Sequence, residues 1–147
     1  MRQSPRLRFA MICLPVVVGC SSILDPTFSE PALLISFGDT AAVAAPAVVT
    51  RGLAVEVSVG TLAGGCTRTI ARTETKVSGT LAEIRPYNET QRADWCTGDL
   101  IVLTHTASIR FDETGAATVR VIGEQTPFEG TGTRRGPAQL ERHVVVQ

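Results

Sequence analysis

Three observations predict an all-β fold for this 147-residue chain. From Leu53 onward apolar residues recur with a period of two, as in Val55, Val57 and Val59 set between Glu56 and Ser58, the pattern of a half-buried strand. Glycine-bearing turn signals interrupt these runs at roughly ten-residue spacing. No segment carries an apolar helical period beyond two turns. Short strands at this spacing suit a β-sandwich of about seven strands. A small closed β-barrel is the alternative architecture.

Residues 20–50 read as a tether: Pro26, Pro31 and Pro46 punctuate it, and Ala41, Ala42, Ala44, Ala45 and Ala47 fill its second half. Proline removes donors and stiffens the chain. Within this stretch Ala32-Leu33-Leu34-Ile35-Ser36-Phe37 is apolar enough for a first strand, or for a helical turn near a membrane. Residues 51–147 form the folded domain. Val55–Val59 is a strand that runs into Gly60, Gly64 and Gly65, so Cys66 sits just past a glycine-rich bend. Thr67–Val77 is threonine-rich, and β-branched residues fit a pleated surface.

Leu81 and Ile84 lead to Arg85-Pro86-Tyr87-Asn88, where Pro86 is expected to end the element. Residues 88–94 then read as a polar exposed loop. Leu100–Leu103 and Ala107–Phe111 are two further strand candidates. Ile109 and Phe111 alternate before Asp112-Glu113-Thr114-Gly115, and Val119 and Val121 alternate after it, which predicts a β-hairpin. Gly123 is expected to close its second strand, residues 124–136 form a long loop, and His143–Gln147 is a final strand.

The N-terminus has its own logic. Arg2, Arg6 and Arg8 precede an apolar stretch from Phe9 to Val18, a basic start and short apolar core that describe a secretory signal peptide. A run of about ten residues is too short for a bilayer that needs about 20 helical residues. Val17-Val18-Gly19-Cys20 closes the stretch and resembles the lipobox of bacterial lipoprotein precursors. The resemblance implies cleavage after Gly19 and acylation of Cys20, so that residues 1–19 are a signal peptide. It also implies an envelope location on a lipid anchor. Ser21 follows Cys20, where Gram-negative lipoproteins retained at the inner membrane tend to carry Asp; this favours the outer membrane if the source is Gram-negative. Several acyl chains hold a protein stably where one holds it marginally.

Charge and cysteine usage follow from that cut. Three of the fourteen basic residues leave with the leader, so eleven face fourteen acidic residues in the remaining 128. A formal −3 gives no electrostatic case for nucleic acid, which needs a clustered basic face. With Cys13 removed and Cys20 acylated, Cys66 and Cys96 remain as an even pair in an oxidising compartment, and a disulfide is expected. Two thiols without a nearby histidine pair do not make a metal site, and no cofactor motif is present. The run from Val48 to Gly123 resembles bacterial immunoglobulin-like domains in strand spacing. It departs from antibody domains in that Trp95 abuts Cys96, so the Cys…Trp…Cys order is missing.

No catalytic set emerges. His105 lies near Asp99 in sequence, but no Ser or Cys stands in a nucleophile-elbow setting. The Thr104-His105-Thr106 stretch reads as a polar connection between strands. Tyr87 and Trp95 are the two large amphipathic aromatics and flank the 88–94 loop, which makes them candidate partner contacts. Trp95 beside Cys96 reads first as a cover for the disulfide. The reading is a non-enzymatic interaction or structural module, held on a membrane by its N-terminal lipid and free to meet an envelope protein. The alternative is an envelope small-ligand carrier or hydrolase with a site assembled around His105 and Asp99.

Overall fold

The computed structural model describes residues 27–35, 42–125 and 135–147. The expected signal peptide over residues 1–19, the expected acylation site Cys20 and most of the 124–136 loop lie outside the described residues. Ten strands occur among the described residues: β1 (Thr27–Pro31), β2 (Leu33–Leu34), β3 (Val43–Ala44), β4 (Val48–Val49), β5 (Val55–Gly64), β6 (Thr67–Ser78), β7 (Leu81–Gln91), β8 (Leu100–Ile109), β9 (Gly115–Gln125) and β10 (Gly136–Val146). The all-β expectation holds, and Cys66 and Cys96 are joined.

All ten strands belong to one sheet, and its ladders form a closed circuit of five: β5 to β6, β6 to β7, β7 to β9, β9 to β2, and β2 back to β5. The architecture is therefore a small closed barrel with extra strands, the second of the two predicted forms. An immunoglobulin-like sandwich needs two separate facing sheets, and the ladders do not divide that way. The physical reason is the two-residue β2. It bridges β5 and β9 by pairing Leu33 with both Leu62 and Glu124, sealing what would otherwise be an open edge.

Alternation fills the interior. Val57 and Val59 of β5, Ala82 and Ile84 of β7, Ala107 and Ile109 of β8, Val119 and Val121 of β9, and Val144 and Val146 of β10 converge on one core around Phe111. Each such large side chain contributes about 1.5–3 kcal/mol by leaving water. The threonine-rich β6 is exposed along most of its length. It is held mainly by its ladder to β7.

Four local expectations are corrected. The stretch 20–50 is not only a tether, because its described residues supply β1 to β4, with β1 paired to β7 from Thr27 to Pro31. Pro86 does not end its strand; it is buried mid-β7 opposite Thr73. Its carbonyl accepts from Ala32 N at 3.0 Å. In a strand the N and O of one residue point to the same side. The missing N–H therefore falls where β7 passes from its β9 ladder, which stops at Ile84, to its β1 ladder, which starts at Tyr87.

The Asp112–Gly115 turn does not make a hairpin, since β8 pairs with β5 while β9 pairs with β10, β7 and β2. Phe111 drops into the core and turns the connection into a crossover. Gly123 does not close β9, which runs on to Gln125. A Cβ at Gly123 would meet Ala32 O at 2.6 Å and Leu34 Cγ at 2.8 Å, so glycine is what lets the β1–β2 segment cross β9 there.

Candidate functional site

Two groups of polar side chains stand out, one inside the barrel and one at an end. The inner group centres on His105, fully buried in mid-β8 rather than in a connection between strands. Its Nε2 lies 2.9 Å from Asn88 Oδ1 of β7, and its Nδ1 lies 2.9 Å from Thr73 Oγ1 of β6. With Oδ1 accepting, Nε2 carries the proton and Nδ1 accepts from the threonine hydroxyl. Burial pushes the imidazole below its ordinary 6.5, so it is held neutral. β8 runs beside β6 without a backbone ladder. The Thr73–His105–Asn88 chain supplies hydrogen bonds across that seam.

This geometry leaves His105 without a free lone pair or proton to offer a substrate. Asp99 is not its partner: its carboxylate accepts from Arg68 Nη2 at 2.6 and 2.7 Å on the exposed rim. Hydrogen bonds from Thr97 and then from Arg68 hold the Asp99 carboxyl below its usual 3.8. His105 and Asp99 therefore serve two separate networks. His143 is exposed, with Nδ1 3.2 Å from Thr118 Oγ1 across the β9–β10 ladder.

The outer group marks one end of the barrel. The β5–β6 turn is two residues, Gly65 and Cys66, with Gly65 at φ 62°, a conformation glycine adopts freely. It carries Cys66 to Cys96 with Cα atoms 5.1 Å apart. Gln91 N donates to Cys66 O at 3.0 Å, Thr27 pairs with Gln91, and Gly64 pairs with Leu100. The start of β1, the end of β7, the start of β8 and the 92–99 loop thus meet at the same end.

Beside this end lies a cleft of about 150 Å³ lined in part by Leu33, Leu62, Leu100 and Glu30. Glu30 accepts from Thr90 Oγ1 at 2.7 Å, Thr67 Oγ1 at 3.3 Å and Arg135 Nη1 at 2.9 Å. Burial raises the Glu30 carboxyl, but these donors outweigh it and hold the group below 4.5. The cleft is small beside the roughly 300–1,000 Å³ that small-molecule sites occupy.

The two candidate contact aromatics part company. Tyr87 is half-buried on β7 with the Arg72 guanidinium 3.9 Å from its ring centre. Arg72 is itself fixed by Glu74 at 2.7 Å and Ser29 Oγ at 2.6 Å, so one face of the Tyr87 ring is covered. Trp95 instead is 79% exposed and does not bury itself on the disulfide. Phe28 and Leu100 are exposed at the same end.

The expected exposed loop at 88–94 is corrected: β7 runs through Gln91, and Asn88 is buried within it. The signal was legible, because Ala82, Ile84, Pro86 and Asn88 share one face at period two. Among the described residues no helix is long and apolar enough to cross a membrane, and no group of three or more His, Cys, Asp or Glu is placed to hold a metal. Family models, curated proteins and solved structures return no match to this chain.

Proposed function

We propose that this chain is a lipid-anchored envelope protein whose barrel works as a non-enzymatic interaction module, with the 92–99 loop as its contact site. One observation carries the reading: Trp95, 79% exposed, stands on a loop fastened by the Cys66–Cys96 bridge. A rigidly presented amphipathic aromatic offers large contact area at low ordering cost. The Val17-Val18-Gly19-Cys20 sequence supports the anchor.

The carrier or hydrolase reading has less support, since His105 and Asp99 are engaged in different networks. The test is made in cells. Cys20→Ala is expected to abolish incorporation of labelled palmitate and to move the protein out of the membrane fraction; unchanged labelling and partition overturn the anchor. A photo-crosslinking residue at position 95 is expected to give adducts in intact envelopes that one at position 77, on exposed β6, does not. Equal adducts from both positions overturn the contact site.

A further inference from the structure

We infer that the 92–99 loop docks on the lipid surface itself, so that the partner of the contact site is the membrane in which Cys20 is anchored. This rests on the anchored reading above and specifies what the exposed tryptophan touches. Chain length limits how far the anchor can lie from the barrel. Six residues, 21–26, separate Cys20 from Thr27, the first residue of β1. Seven Cα–Cα steps span at most about 25 Å when fully extended.

Thr27 pairs with Gln91, and Gln91 bonds Cys66, which is bridged to Cys96 beside Trp95. The end of the barrel that the anchor holds near the bilayer is therefore the end that carries Trp95.

The chemistry of that end fits an interface. Trp95, Leu100 and Phe28 are 79%, 71% and 48% exposed there. Tryptophan concentrates at the headgroup level, where its ring meets apolar chains and its N–H meets water. Around the rim Arg68 is paired with Asp99 and Arg135 with Glu30, while Arg92 and Asp94 of the loop stay exposed and are opposite in sign. The formal −3 of residues 20–147 gives no attraction to anionic headgroups. Docking is then apolar, works on zwitterionic lipid, and is insensitive to salt.

Trp95 is the sole tryptophan of the chain, so its fluorescence reports this contact directly. The full acylated protein is reconstituted into phosphatidylcholine vesicles, with and without bromine atoms on the upper acyl chain. Mass measurement of the purified chain first establishes acylation at Cys20. Brominated lipid is expected to quench roughly half of the emission, and aqueous iodide to lose most of its access, at both low and high salt. Acylated protein that floats with the vesicles but is quenched by iodide and not by bromolipid overturns the docking and leaves the anchor standing. A chain without acyl groups overturns both. Protection of Trp95 only after envelope proteins are added also overturns the docking, and assigns the loop to a protein partner.

Discussion

The seam at His105 and the rim at Trp95 use residues of the same amphipathic kind to opposite ends. At the seam, a buried imidazole is bonded by a buried amide on one nitrogen and a half-buried hydroxyl on the other. At the rim, an indole is left in water beside salt-bridged charges. A buried polar group that loses its partner costs its full desolvation, whereas an exposed one loses little. The seam is therefore where stability is concentrated, and the rim is where residues can be chosen for contact.

The comparison breaks most readily at the seam. His105→Ala empties a buried volume and strands Asn88 Oδ1 and the Thr73 hydroxyl, an expected loss of roughly 4 kcal/mol in denaturant unfolding. The pH dependence has a definite sign. The folded imidazole titrates below 6.5, so the unfolded chain binds more protons as pH falls under 6.5. The stability that the neutral His105 supports is complete above 6.5 and declines as pH drops from 6.5 towards the folded value. The variant is expected to lack that slope; an identical slope in both proteins would place the effect elsewhere.

Next in size is the bridge that holds the rim. Replacing both Cys66 and Cys96 by Ser removes a cross-link over 30 residues. The expected loss is about 3.6 kcal/mol by chain entropy. Thermal unfolding under reducing conditions should reproduce it without mutation. A loss that also abolished the Thr73–His105–Asn88 bonds, seen as altered imidazole NMR shifts, would show that the two regions are not independent.

The smallest expected effect sharpens the contrast. Trp95→Ala is expected to change stability by less than about 0.5 kcal/mol, as for an exposed residue with no buried partner. A loss of several times that, read from the same unfolding curves, would mean the indole packs on the barrel and is not a free contact.

Much of this was legible in the chain before any fold. The alternation of Val55, Val57 and Val59, and of Val119 and Val121, reports which side of a strand is apolar, and each pair is buried or partly buried as that pattern requires. The pairing of Cys66 with Cys96 followed from counting cysteines with the expected leader and the expected acylation site Cys20 set aside. His105, Asn88 and Thr73 were not legible as a set, because they lie on three strands and meet only when the seam closes.

The order of residues specifies the class of local structure: extended strands, their apolar faces and their tight glycine turns. The tertiary structure alone decided partners. A period of two specifies a face but is silent about which strand lies beside it, since any ladder satisfies the same backbone groups. Thus Asp112–Gly115 became a crossover once Phe111 was drawn into the core, Pro86 was tolerated where two ladders change over, and two residues, Leu33 and Leu34, closed the barrel. Those outcomes depend on long-range burial, which no local window of sequence contains.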